Sequence, residues 1–229
     1  MVQHMAIIMD GNRRWAKKNG LQSVRGHKEG ANVVREVVKF SLEKKIKHVS
    51  LYTFSIENFK RPEHEKSFLF NLLINEAENG LQEFVGNGVK VRFIGDRSLF
   101  PEDVLSACQK IENETKNLDK LELHFLFCYG SRQEIVEGVK RIVKKVQDGE
   151  FSEDEISHKT VEDHLWTAGI PEPDFIIRTG GVKRLSNFLL YQAAYSDFYF
   201  FDCMWPEMTS KHLEKAWESF TGTKKRFGV

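Results

Sequence analysis

Six short runs of apolar, β-branched and aromatic residues, separated by longer stretches of helical periodicity, set the main limit on what this chain can fold into. They are MAIIM (5–9), HVSLYTF (48–54), VKVRFIG (89–95), LELHFLFCY (121–129), DFIIR (174–178) and DFYFF (197–201). Their Val, Ile, Phe and Tyr content predicts strands. Several are apolar on consecutive residues, the pattern of strands covered on both faces. Between them, 31–45 has apolar residues at 33, 34, 37, 38 and 42, a helical stripe. Segment 62–85 opens on Pro62, which suits a first helical turn. Segment 131–147 opens on Ser131 with Glu134 at capping-box spacing, and a last helix is expected over 209–227. Strand alternating with helix predicts an α/β fold: a single domain over 1–229 with a largely parallel central sheet of about six strands flanked by helices. No internal repeat, low-complexity tract or linker interrupts it.

Bulk properties narrow the function classes. Formal net charge is +1, so there is no bulk electrostatic case for nucleic acid, and an anion site must come from local arginine clusters. Cys108, Cys128 and Cys203 are far apart and form no CxxC, which fits buried thiols in a reducing cytoplasm. The eight histidines include no HExxH and no zinc spacing with Cys, which argues against a structural zinc site. His64, His124, His158 and His212 read as ordinary surface or core residues. No run approaches the roughly 20 apolar residues of a membrane span, and the first apolar run is too short for a signal sequence. No GxxxxGK[ST] or GxGxxG occurs, so nucleotide-binding α/β folds lose their main support.

In a parallel sheet the ligand crevice lies beyond the carboxyl ends of the strands. There the sequence reads DGNRRW (10–15), SIENFKRP (55–62), GSRQE (130–134) and RTGGVKRLSNF (178–188). These segments bring Arg13, Arg14, Arg61, Arg132, Arg178 and Arg184 to one edge, with Asn12, Asn58, Ser55 and Ser186 as neutral hydrogen-bonding groups. The planar fork of arginine suits phosphate oxygens, so the edge reads as a polyanion site for one or two diphosphates. Asp10 has two readings. It holds a hard cation such as Mg²⁺ against the phosphates, or it caps the helix that follows. Asp197 is a candidate second carboxylate for the cation. Residues 67–74, SFLFNLLI, are apolar around much of a helix and either join the core or line an apolar tunnel.

These motifs together resemble the cis-prenyltransferases, most closely the undecaprenyl diphosphate synthases. The resemblance spans nearly the whole chain through HMAIIMDGNRRWAKK, GHKEG (26–30), LYTFSIENFKRP (51–62), CYGSRQEI (128–135), DFIIRTGGVKRLSNFLLYQAAYSDFYF (174–200), WPEM (205–208) and KRFG (225–228). It implies a homodimeric, Mg²⁺-dependent enzyme that extends farnesyl diphosphate with isopentenyl diphosphates in cis geometry. By position it makes Asp10 the essential aspartate and metal ligand, and Gly11, Asn12, Arg13 and Arg14 the allylic diphosphate cradle, with His27 nearby as a substrate-binding residue. Trp15 and Phe59 would pack near the substrates, Phe59 in a slot usually held by Trp. Ser55, Ile56 and Glu57 match a substrate-contacting triplet, Asn58 a proton acceptor, and Arg61 the arginine that follows. Arg178, Arg184, Leu185 and Ser186 match an isopentenyl diphosphate site, and Asp197 a metal-associated carboxylate that is commonly Glu. The closing Arg226, Phe227 and Gly228 resemble a tail that reaches a neighbouring subunit's site.

The chain also departs from the family pattern. Arg13 stands where a glycine is frequent. Ser23 stands where an arginine usually contacts diphosphate, and the nearest arginine is Arg25. RTGGV replaces RTSGE, and YGSR replaces YGGR. Asp10, Arg14, Arg178 and Arg184 are all retained. Three other readings are open to such a chain: a cis-prenyltransferase of shorter product, a non-catalytic partner subunit, and an unrelated phosphoryl-transfer enzyme. The basic KKRF near the end reads as a solvated helix face, with transient membrane contact for product release as the alternative.

Overall fold

A computed structural model describes residues 2–222. Six strands form one sheet: β1 (His4–Ile8), β2 (His48–Ser55), β3 (Val89–Ile94), β4 (Leu121–Tyr129), β5 (Phe175–Arg178) and β6 (Asp197–Phe200). Their order is β3-β4-β2-β1-β5-β6, and every pair is parallel. The helices among the described residues are α1 (Asn12–Lys18), α2 (Ser23–Glu43), α3 (Glu63–Asn87), α4 (Glu102–Thr115), α5 (Ser131–Gln147), α6 (His158–His164) and α7 (Ser210–Gly222).

Strand side chains alternate between two cores, as the period of two requires. Met5 and Ile7 of β1 join Phe54, Phe70, Phe127 and Trp205 in the larger core. Ala6 and Ile8 join Leu126, Ile176 and Phe188 in the smaller one. Both faces of the inner strands are therefore covered, which is why those strands read as apolar runs, whereas edge strand β6 alternates half-buried and exposed residues.

The expected strands all form, with ends within one residue of expectation. α2 starts eight residues before the expected 31, because Gly26 and Gly30 lie inside it. Glycine lowers helix propensity, so the sequence understates this helix. At Gly26 a Cβ would stand 2.0 Å from the Asn12 carbonyl, so α2 packs on α1 only through glycine. The Ser131 capping box does not form. Gly130 precedes α5, Ser131 Oγ accepts from Leu190 N, and Glu134 is buried, accepting from Tyr129 Oη, Thr167 and Gln192. The carboxylate thus serves the smaller core instead of a helix end. α4 and α6 were not expected, and α6 is only seven residues long. Residues 223–229, with the KKRF cluster and the Arg226-Phe227-Gly228 tail, lie outside the described residues.

Candidate active site

The carboxyl ends of β1, β2 and β5 feed one cleft, as the strand-end argument expects. It has two lobes, of about 610 and 1110 Å³, which share Met9, Asp10, Asn12, His27 and Arg61. Ser55, Glu57, Asn58, Arg178 and Ser186 line the first lobe; Gly11, Arg13, Arg14 and Ser23 line the second.

Asp10 sits where the lobes meet and does not cap α1. The N-cap is Gly11, whose φ of 110° is a left-handed conformation that suits glycine, and a Cβ there would lie 2.8 Å from Met204 Cβ. The Asp10 carboxylate instead accepts from Arg14 Nη2 at 3.1 Å and Arg178 Nη2 at 2.9 Å, one guanidinium on each oxygen. Its carbonyl accepts from Thr179 Oγ1 at 2.7 Å and Trp205 N at 3.0 Å. Arg14 also donates to the Gly180 carbonyl at 2.7 Å. Arg178 is 5% exposed; it donates to Ser186 Oγ at 2.8 Å and to the Arg184 carbonyl, and its Nε has no partner among the described residues. A buried, incompletely satisfied guanidinium beside a cleft is prepared for an anion.

In the second lobe, Arg61 donates to Glu65 Oε1 at 2.9 Å, and Arg13 Nε lies 3.6 Å from the same oxygen. His27 Nε2 is buried without a partner among the described residues. Burial holds the imidazole down at about 4, with Arg61 and Arg13 adding to the effect and Glu65 opposing it. His27 is therefore neutral near pH 7 and offers one N–H and one lone pair. Ser23, at the start of α2, lines this lobe, while exposed Arg25 is absent from its lining.

Several expected residues stand behind the cleft or away from it. Phe59 packs edge-on against Phe54 and Phe70 in the core. Ile56, Trp15 and Leu185 are half-buried outside the lining. Arg184 and Arg132 are exposed side chains that act here through backbone: the Arg184 carbonyl accepts from Arg178, and Arg132 N donates to Asn187 Oδ1. Asp197 pairs with Phe175 while Phe200 pairs with Arg178, so Asp197 stands at the amino end of its strand. A parallel sheet puts that end opposite the edge that carries Asp10. One protomer therefore does not bring the two carboxylates together.

Sequence reasoning missed Asn187, Tyr52 and Trp205. Asn187 (φ 66°) donates from Nδ2 to Glu57 Oε1 at 2.9 Å and Gln133 Oε1 at 3.1 Å, and its carbonyl accepts from Ser131 N at 2.8 Å. It ties the β5–β6 connection to the segment after β2 and to the start of α5. Tyr52 stacks on Phe188 and donates to the carbonyls of Ser186 and Tyr129. Trp205 Nε1 donates to the Gly30 carbonyl at 2.7 Å, closing the cleft floor. A signal for Asn187 existed, since it follows Ser186 directly and Asn tolerates left-handed backbone.

Asp10 faces both lobes with its side chain 30% exposed, and Asn12 Oδ1 is a buried acceptor without a partner among the described residues. An oxygen-only donor set with one carboxylate fits a hard cation that completes its shell with phosphate oxygens and water. The first lobe shares Ala31, Val34 and Leu72 with an apolar hollow of about 90 Å³ between α2 and α3, which ends at Phe84 and Phe125. Phe70 of α3 is buried in the core, Leu69 lines the first lobe, and Leu72 and Leu73 line the hollow, so residues 67–74 serve both core and cleft wall.

Residues 8–228 match the family model described as "Putative undecaprenyl diphosphate synthase". An isoprenyl transferase of Thermotoga maritima is 43% identical over 99% of this chain and 96% of its own length. One from Clostridium perfringens is 42% identical over 100% of this chain and 90% of its own. Among solved structures, lavandulyl diphosphate synthase from Lavandula x intermedia, in complex with dimethylallyl diphosphate, superposes with a TM-score of 0.96 at 31% identity, covering 100% of this chain and 98% of that one. A "probable undecaprenyl diphosphate synthase" from Campylobacter jejuni gives 0.83 at 30% identity, covering 100% and 99%. The chain is an isoprenyl-transferring enzyme and belongs to the undecaprenyl diphosphate synthase family.

Proposed function

We propose that the enzyme condenses farnesyl diphosphate with successive isopentenyl diphosphates in cis geometry, making undecaprenyl diphosphate for bacterial cell-wall glycan synthesis. The observation that carries this reading is the continuity between an arginine-lined cleft and an apolar passage: Ala31, Val34 and Leu72 belong to both. A substrate with a diphosphate head and a hydrocarbon tail matches that change of lining.

In this reading Arg13, Arg14 and Arg61 hold the allylic diphosphate in the second lobe, with His27 and the Gly11–Asn12 backbone beside it. Arg178 and Ser186 hold the isopentenyl diphosphate in the first lobe. Asp10 would hold Mg²⁺, which when bound supplies Lewis-acid stabilisation of charge on phosphate oxygens. The allylic C–O bond breaks, and diphosphate leaves among arginines already oriented toward the developing charge. The isopentenyl double bond supplies the electron pair of the new C–C bond, and a proton then leaves the condensed product. Asn58 Oδ1 accepts from Ser55 N at 3.3 Å, so we assign Asn58 to orienting the acceptor, a water or a diphosphate oxygen. Asp197 would meet a metal only through another subunit.

A homodimer is part of the proposal. Edge strand β6 exposes Phe198 and Phe200, and α5 exposes Val136, Val139 and Val143 along one face, apolar surface that a second subunit would cover. No helix among the described residues is long and apolar enough to cross a membrane. We place the enzyme in the cytoplasm, peripheral to the membrane that takes its product. A second reading, a shorter product, is favoured by the small volume of the apolar hollow. Incubation with farnesyl diphosphate, labelled isopentenyl diphosphate and Mg²⁺, followed by product sizing, tests both: undecaprenyl length supports the first reading, a shorter chain the second, and no incorporation overturns the activity.

A further inference from the structure

The edge of the sheet opposite the cleft carries a cluster that prenyl transfer does not use. His48 is the first residue of β2, paired with Glu122 of β4, and His124 lies two residues on, on the same face as Glu122. About 23 Å of strand separates His48 from Ser55 at the cleft. His48 Nδ1 is 3.4 Å from His124 Nε2 and 3.8 Å from Glu122 Oε2, and one ligand atom from each residue falls within 4.8 Å of the others. Nitrogens around a tetrahedral zinc, each about 2.0–2.1 Å from the metal, stand about 3.3–3.4 Å apart. That is nearly the His48–His124 separation.

Further observations bear on a ligand. His124 is fully buried; its Nε2 is the nitrogen that approaches His48, and its Nδ1 has no partner among the described residues, so the hydrogen bonding of the ring is incomplete. Neighbouring His4 differs, since Pro171 O and Ser50 Oγ satisfy both of its nitrogens. The other Glu122 oxygen, Oε1, is held by Lys90 at 3.4 Å and Arg92 at 3.3 Å, which orients the carboxylate from behind as outer partners orient metal ligands. His48 and Glu122 are partly exposed and give the pocket an opening to solvent.

We propose that His48, Glu122 and His124 form a binding site for a divalent cation of the zinc class, separate from the catalytic centre, with water in the remaining position. Two imidazoles favour such a cation over Mg²⁺ or Ca²⁺, which prefer oxygen. Lys90 and Arg92 oppose positive charge here, so affinity rests on nitrogen coordination. The test titrates the untagged, chelator-stripped full chain with ZnCl₂ by calorimetry, and with CoCl₂ by the visible absorption of four-coordinate Co²⁺. Wild type and Asp10→Ala should each bind one equivalent at this site. His48→Gln and Glu122→Gln, both at partly exposed positions, should lose affinity by at least about tenfold while keeping their far-ultraviolet spectra and Mg²⁺-dependent prenyl transfer. Failure of stripped wild type to bind zinc overturns the site, as does unchanged binding in both folded variants or loss of binding in Asp10→Ala.

Discussion

Asp10 shows how one side chain organises the catalytic edge. Each of its oxygens takes a guanidinium, from Arg14 on α1 and from Arg178 on β5, 168 residues away in sequence. Asp10→Ala should lower kcat by at least about 10³-fold in steady-state assays while circular dichroism stays unchanged, since it removes the carboxylate proposed to hold the metal and frees both arginines. Near-normal turnover in the folded variant would rule out that role. Asn187 is a positioning residue of a different kind. Asn187→Ala loses three side-chain hydrogen bonds and puts Ala at φ 66°, so denaturant melts should show a loss of about 1–2 kcal/mol. Asn187→Gly relieves the backbone but not the lost bonds. It should therefore recover stability and still raise KM for isopentenyl diphosphate; a normal KM would show that the clamp on Glu57 is merely structural.

At the scale of elements, α2 and α3 are walls as well as core. Ala77 and Gly80 on α3 keep the hollow open, and Phe84 closes it. Ala77→Leu should shorten the product, read by chromatography of the dephosphorylated chains, and overpack the helix pair by about 1–3 kcal/mol. An unchanged product would place the growing chain elsewhere. Edge strand β6 belongs to this scale too. Replacing both Phe198 and Phe200 with Lys should convert the proposed dimer to a monomer in sedimentation velocity, because charge on an exposed strand edge opposes association. The inner strands were legible in advance because both-face burial makes their runs apolar. The start of α2 was not, since glycines chosen for close packing on α1 and Trp205 look like helix breakers.

For the whole molecule, buried neutral histidines link stability to pH. His4 is held at about 3 and His27 at about 4 by burial, and His48 and His124 are also lowered. Below the ordinary value of 6.5 the unfolded chain binds protons that the folded chain refuses. Stability is therefore fully present above that pH and is lost as pH falls toward about 4. Urea midpoints measured from pH 8 down to 5 should decline below about 6.5, and His4→Gln should flatten the decline; a flat wild-type profile would mean that these rings titrate normally when folded. The sequence by itself determined the parallel α/β class, the strand positions and the arginine-rich carboxyl edge, because periodicity and residue type are local properties. It carried Asp10, Ser55, Asn58, Arg61 and Arg178 to the cleft for the same reason: each follows or ends a recognisable strand. Only the tertiary structure decided that Phe59 backs the site, that Asp197 stands on the far edge, that Asn187 ties three segments together, and that His48 meets Glu122 and His124. Those depend on which strands are neighbours and on how segments distant in sequence pack together, which no local pattern encodes.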